Sequence, residues 1–280
     1  FYHITNARCI YISEASFKTI IQNSEFTNIS LPESNSQSMY LPRDCGASIC
    51  CISKANVLVT GCRFNNNFAI GSGGAIYGEL QALDIQTCTF ANCSTSTDDD
   101  ISQGGAIYLD GRSQSQDEYE NFNNNIFENC SSYSGGAVHV YFKDVHGDAP
   151  NFYSVFMNNC TFRSCTSVTE GGAVSSGLTN YDGTTEGDSG FQFSYCKFIE
   201  CVSGKGGAFY LQDGTPDGKE FTHVTGCQFE NCFATSGQGY AISSRSYRLQ
   251  VDNCLFNGHK RRSDGVDHSI FHVDMNDKNV

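Results

Sequence analysis

The stretch Cys88-Thr89-Phe90-Ala91-Asn92-Cys93, followed by Gly104-Gly105-Ala106-Ile107-Tyr108, decides the fold of this chain. The first element recurs without internal gaps around a central Phe, at Phe26, Phe64, Phe90, Phe127, Phe162, Phe198, Phe229 and Phe256. Cys stands two residues before the Phe in six of these eight copies and three residues after it in five. Five residues before each Phe the side chain is apolar, as in Ile85, so the repeat has a fixed core pattern.

The Gly-Gly-Ala element follows the Phe segments at a variable distance. Its copies begin at Gly73, Gly104, Gly135, Gly171 and Gly206, with a degraded copy at Gly239. Short strands of fixed length that are joined by loops of variable length are typical of a solenoid.

Each segment is too short to form a sheet alone, so we expect it to stack on its copies at the strand spacing of about 4.8 Å. The Phe residues should then form one continuous column of rings. Gly-Gly indicates a sharp corner, with positive φ or close backbone contact, and the slip in alternation between Ile85 and Cys88 indicates a bend. The sequence therefore predicts an all-β, single-domain parallel β-helix of about eight coils with variable loops.

The repeat pattern covers residues 1–280, and no amphipathic cap is recognisable at either end. Cys9-Ile10-Tyr11-Ile12 and Ser269-Ile270-Phe271-His272-Val273 both resemble the second element without a complete coil beyond it. Because solenoids need capped ends to avoid edge-to-edge association, we expect this one solenoid to be a fragment of a longer stack, or a partner to continue it.

Charge and hydropathy exclude several partners. The net charge of −13 disfavours nucleic acid and anionic membranes. No apolar run approaches the roughly 18 residues of a membrane-spanning helix, so we expect no membrane span in this segment.

Fifteen cysteines make the chain Cys-rich, and two interpretations stay open. Cys can act as a small buried hydrophobe in a ladder of free thiols. Alternatively, adjacent coils bring Cα atoms within disulfide range, and the even runs before the Phe allow the pairs Cys62–Cys88, Cys160–Cys196 and Cys227–Cys254. Zinc is disfavoured because its structural sites need four converging ligands.

Four sequons predict N-glycosylation, at Asn28, Asn92, Asn129 and Asn159. Asn92 and Asn129 should lie at the corner after the Phe strand, from which a glycan would project into solvent.

The pairing of Phe64-x-x-Asn67 with Gly73-Gly74-Ala75-Ile76 resembles the repeats of the polymorphic outer membrane proteins, which form the passengers of chlamydial autotransporters. Most other copies have Cys in place of this Asn, which makes the chain more similar to Cys-rich relatives of the family in protists such as trichomonads. The resemblance extends from Cys9 to His272. It implies a right-handed β-helix displayed outside the cell, with adhesion as the usual role.

No catalytic motif is recognisable, and we expect neither an enzyme nor a cofactor. We interpret the seven histidines as surface or loop residues. Acidic groups fall in expected loops, at Asp98-Asp99-Asp100, at Asp117, Glu118 and Glu120, and at Asp182, Glu186 and Asp188. The first group is a candidate for weak Ca²⁺ binding.

Two functions compete. The first is an extracellular or cell-surface β-helix that serves as an adhesin, stalk or filament subunit, whose partners are a protein or glycan on a surface or further copies stacked end to end. The alternative is a carbohydrate-active enzyme, a polysaccharide lyase or hydrolase, that uses the loop carboxylates.

Overall fold

The computed structural model describes residues 1–5, 7–13, 18–32, 44–98, 100–111, 118–143, 153–179, 190–212, 222–236, 238–245, 249–259 and 269–273. Within these ranges the chain forms thirty β-strands and no α-helix. The strands pair in parallel and build two sheets of 15 strands each. Successive neighbours in each sheet come from successive coils, as expected for a solenoid.

The first sheet contains two kinds of strand, joined through the seven-residue strand β4. Strand β1 (Tyr2–Thr5) pairs with the first of the strands that carry the central Phe. These Phe strands are β4 (Glu25–Leu31), β6 (Arg63–Asn65), β9 (Thr89–Ala91), β13 (Ile126–Glu128), β17 (Thr161–Arg163), β21 (Lys197–Ile199), β25 (Gln228–Glu230) and β29 (Leu255–Asn257). The strands that follow the second corner are β7 (Phe68–Ala69), β10 (Ser94–Thr95), β14 (Ser131–Ser134), β18 (Thr166–Glu170), β22 (Val202–Ser203) and β26 (Phe233–Ala234).

The second sheet also contains two kinds of strand. Those that follow the Gly-Gly-Ala corner, or stand in register with them, are β2 (Ile10–Ser13), β5 (Ile49–Thr60), β8 (Ile76–Gln86), β11 (Ile107–Gly111), β15 (Val138–Lys143), β19 (Val174–Thr179), β23 (Phe209–Leu211), β27 (Ile242–Ser244) and β30 (Phe271–Val273). Those that lead into the Phe strand are β3 (Thr19–Gln22), β12 (Glu118–Asn123), β16 (Tyr153–Asn158), β20 (Gly190–Ser194), β24 (Thr222–Thr225) and β28 (Leu249–Asp252). The long strands β5 and β8 serve both purposes without interruption.

The central Phe residues form the predicted column. Consecutive rings from Phe26 to Phe256 stack with centroids 4.6–5.0 Å apart and planes within 6° of parallel. Phe1 stacks on Phe26 at 5.0 Å, so the column is one ring longer than the eight aligned copies. The apolar residues five positions earlier also lie in register, with Ile85 opposite both Val59 and Phe122.

Both expected roles of Gly-Gly are present. The first Gly has a positive φ, 67° at Gly135, which disfavours any residue with a Cβ. The second Gly packs against the backbone of the next coil: a Cβ on Gly136 would collide with the carbonyl oxygens of Gly172 and Thr166. The predicted fold class is therefore confirmed.

Candidate functional site

Each Phe strand is bounded by two corners at which the backbone is left-handed. Around Phe90 these corners are Thr87 and Asn92, both with φ of 52°. Asn tolerates this region better than most residues, and it supplies most of the second corners, at Asn28, Asn66, Asn92, Asn129 and Asn231. After each corner the next residue turns inward, which explains why Cys88 and Cys93 are both buried.

Two buried asparagines show what these inward positions require. Asn125 accepts a hydrogen bond at Oδ1 from the backbone N–H of Cys88 (2.9 Å), and its Nδ2 donates to the carbonyl of Ile85 (2.8 Å). Asn67 does the same at the second corner, where it accepts from the N–H of Ile29 (3.1 Å) and donates to the carbonyl of Phe26 (3.2 Å). Both side chains therefore satisfy backbone groups that the bend in the preceding coil leaves outside the sheet.

The cysteines occupy the same positions and donate to the same carbonyls. Cys160 Sγ bonds to the carbonyl of Phe122 at 3.4 Å, as Asn125 does to Ile85 one coil earlier. The equivalent acceptor role occurs at Cys88, whose sulfur lies 3.4 Å from the backbone nitrogen of Cys62. Cys is therefore a weaker hydrogen-bonding substitute for Asn here, as well as a small apolar residue.

These thiols form two rows that run along the solenoid. The row before the Phe contains Cys62, Cys88, Cys160, Cys196, Cys227 and Cys254, with Asn125 between the second and third members. The row after the Phe contains Cys93, Cys130, Cys165, Cys201 and Cys232, preceded by Asn67 and followed by His259. All members are buried except Cys254, which is half-buried at the end of its row.

Burial raises the pKa of a thiol in these rows, whereas a contact between two sulfurs lowers the pKa of the accepting thiol and raises that of the donating one. Burial raises the pKa of the Cys201 thiol well above its ordinary value. The neighbouring thiol of Cys88 donates to the sulfur of Cys62 and lowers the pKa of Cys62 to about 7. At the C-terminal end of the row before the Phe, Cys196 and Cys254 both donate to the sulfur of Cys227 and lower the pKa of Cys227 to about 4.

No disulfide joins any two of the cysteines that the structure describes. The proposed disulfide partners Cys62–Cys88, Cys160–Cys196 and Cys227–Cys254 are neighbours in the row before the Phe, and their pairing stays a prediction. In the described ranges no three His, Cys, Asp or Glu side chains gather around a point where a metal ion would fit.

The four sequon asparagines lie on the outer edges of the corners. Asn92 and Asn129 occupy the corner after the Phe, as predicted, and both are exposed, with Asn129 Nδ2 donating to Asn92 Oδ1 at 3.4 Å. Asn28 is half-buried on the same edge, and Asn159 is exposed on the edge before the Phe. Glycosylation of these four positions stays a prediction.

Only some of the predicted loop carboxylates fall within the residues that the structure describes. Asp98 and Asp100 are exposed, and Asp99, the third Ca²⁺ candidate, lies outside the described residues. Outside them too are Asp117, Asp182, Glu186 and Asp188.

The assignment of Glu118 and Glu120 to a loop was wrong, because both lie in strand β12. Glu120 is 1% exposed and faces the core, two residues before the buried Phe122. Its Oε2 accepts a hydrogen bond from the N–H of Leu83 in the preceding coil. The carboxylate thus caps a backbone donor next to Asp84, where the pairing of β8 with β12 begins.

The interpretation of every histidine as a surface or loop residue was also wrong. His139 lies in strand β15 with 3% exposure, and its ring stacks on Tyr108 at 5.5 Å. Its Nδ1 lies 2.6 Å from Ser175 Oγ. Desolvation lowers the pKa of this imidazole to about 3, so the ring is neutral near pH 7.

Fold and side chains together define a class of protein: a parallel β-solenoid in which rows of buried Asn and Cys form hydrogen bonds with the backbone at the corners. Residues 61–79 match the family model of the Chlamydia polymorphic membrane protein repeat. This match confirms the predicted resemblance for a segment that contains Phe64-x-x-Asn67 and Gly73-Gly74-Ala75-Ile76, the copy in which the corner residue is Asn. Fold and repeat fit a surface-associated structural β-helix protein.

No curated protein and no solved structure matches the chain significantly. The described residues include no helix with the length and apolarity that a membrane crossing requires.

Proposed function

We propose that this chain is an extracellular adhesin or stalk, in which a rigid β-helix displays side segments to a protein or glycan on another surface. The proposal rests on the position at which extra chain segments interrupt successive coils. Strands β11, β15 and β19 lie side by side in register, as do β12, β16 and β20, which follow them in the chain. The connecting segments 112–117, 144–152 and 180–189 therefore leave and rejoin the stack at adjacent positions.

The two coils that contain strands β5 and β8 show that the fold does not need these insertions. Each of these two strands continues from the Gly-Gly-Ala position into the segment before the Phe without a break. Chain length added at one edge of successive coils therefore serves a purpose other than closing the coil. Recognition by inserted loops on a rigid scaffold is a common use of such length.

The test is binding of the purified chain to printed glycans and to intact cells, with segments 144–152 and 180–189 each replaced by a short turn. We expect binding to fall at least about tenfold in one or both variants while the thermal unfolding midpoint stays near that of the unaltered chain. Shortening segment 97–100, which follows strand β10 on another side of the coil, is the matched control. Full binding by both variants would contradict the proposal.

The sequons support a glycoprotein at the cell surface. Their outward position is compatible with modification, because Asn92 and Asn129 are exposed while the intervening Cys93 and Cys130 of each motif stay buried. Glycopeptide mass spectrometry of the chain secreted from eukaryotic cells should find these two sites occupied. Electron microscopy of the same material would distinguish a filament subunit from a stalk or a single adhesin.

The enzyme alternative gains no support from the site. Of the carboxylates on which it depended, Asp98 and Asp100 are exposed, and Glu120 is buried against the backbone of Leu83.

A further inference from the structure

The row Cys160, Cys196, Cys227 and Cys254 is a line of sulfur atoms. Its members belong to four successive coils whose strands are in register, so neighbouring Cα atoms are about 4.8 Å apart. Apart from the contacts between neighbouring sulfurs, each sulfur donates long hydrogen bonds to carbonyl oxygens, for example from Cys227 to Phe193 at 3.5 Å and from Cys254 to Val224 at 3.4 Å. Such S–H bonds are weak, so little hydrogen-bond energy is lost when a metal ion takes the place of the proton.

A line of donors restricts the kind of metal that it can hold. Tetrahedral zinc needs four converging ligands, and no such cluster of His, Cys, Asp or Glu exists in the described part of the chain. A soft monovalent cation such as Cu(I) accepts two thiolates on opposite sides, in a linear S–metal–S unit. Thiolate is the ligand that such soft metals prefer.

The end of the row is the accessible part. Cys254 is half-buried, whereas Cys227 and the two members beyond it are buried. The Cys254 sulfur lies 3.4 Å from the backbone nitrogen of Cys227, which places the two residues directly above one another. A metal ion can therefore reach Cys254 first without opening the solenoid.

We propose that Cys227 and Cys254 bind one Cu(I)-class cation between their sulfur atoms. Two S–H bonds break, two metal–sulfur bonds form, both protons leave to solvent, and no electron is transferred. The bound unit carries one net negative charge. This charge is better tolerated at the half-buried end of the row than at its centre, because water still reaches Cys254.

The experiment is a titration of the reduced, folded chain with Cu(I) in the absence of oxygen, against a competing Cu(I) chelator. We expect a first equivalent with thiolate-to-metal charge-transfer absorption in the ultraviolet, and X-ray absorption that shows two sulfur ligands. Cys254→Ser should weaken this first equivalent at least about tenfold. The matched control is Cys9→Ser: Cys9 is also half-buried but stands opposite Ser48 of the next coil, and its loss should leave the first equivalent unchanged.

Three results would overturn the proposal. The first is equal affinity in Cys254→Ser and the unaltered chain. The second is Cu(I) uptake only after unfolding, monitored by circular dichroism during the titration. The third is a Cys227–Cys254 disulfide that mass spectrometry finds in the chain as secreted and that persists in mild reductant, because the oxidised pair has no thiolate to offer.

Discussion

The Phe column and the two corner rows that flank it follow different rules, although all three run through the same coils. At the Phe position the side chain is identical in every aligned copy, and each ring packs face to face on the next. At the corners Asn replaces Cys in one copy of each row, because both can bond the same backbone groups. A position that supplies volume therefore keeps one side chain, while a position that supplies a donor and an acceptor admits more than one.

The largest effect should come from removing a ring in the middle of the column. Phe162 is fully buried between Phe127 and Phe198, at 4.8 and 5.0 Å. Phe162→Ala should lower the free energy of unfolding by about 3–5 kcal/mol, because the transfer energy is lost and a cavity remains. Urea unfolding measures this value. The half-buried Phe256 at the end of the column is the control, and an equal loss in Phe256→Ala would show that stacking on both faces is unimportant.

A slightly smaller effect should follow from adding one methyl group at a corner. Gly172→Ala places a Cβ against the backbone of Gly207 and Val202, so the coils must separate locally. We expect a loss of about 2–3 kcal/mol, the usual cost of overpacking. At Gly177 an added Cβ would meet its nearest atoms at 3.4 Å, in His139 and Tyr141, so Gly177→Ala should be nearly neutral. Equal thermal shifts in both variants would count against the close-contact explanation.

Replacing the corner asparagine tests the second half of the comparison. Asn125→Ala leaves the N–H of Cys88 and the carbonyl of Ile85 without their partner, at a cost of about 2 kcal/mol. Asn125→Cys should recover roughly half of this loss, because a thiol forms weaker hydrogen bonds with these two backbone groups than an amide does. If Asn125→Cys were no more stable than Asn125→Ala in urea, the equivalence of thiol and amide would be wrong.

The smallest effect concerns pH. His139 has a pKa of about 3 in the folded chain and about 6.5 when unfolded. Between these two pKa values His139 binds a proton in the unfolded chain but not in the folded one, so the folded state loses stability as pH falls. From pH 6.5 to 5.5 the loss in the free energy of unfolding is about 1 kcal/mol. His139→Phe, which keeps a ring against Tyr108, should remove this part of the dependence in urea unfolding. An unchanged pH profile in this variant would mean that other groups cause it.

The fold was predictable because like residues must stack on like in a parallel solenoid, so a column such as Phe26 to Phe256 is visible as a repeat. The hydrogen-bonding role of Cys was not, since a buried Cys is usually a small hydrophobe. The available signal was Asn125, the single amide in a row of thiols. Glu120 and His139 were misplaced because ionisable groups are expected at the surface, and only the register shows that Glu120 faces the core.

A crystal structure of the chain at a resolution that shows individual rings tests the stacked Phe column most directly. We expect one file of parallel Phe rings from Phe26 to Phe256, with centroids 4.6–5.0 Å apart as in the Phe64–Phe90 and Phe162–Phe198 pairs. Rings that pack in separate clusters, or coils that pair antiparallel, would contradict the fold and remove the basis for the corner rows.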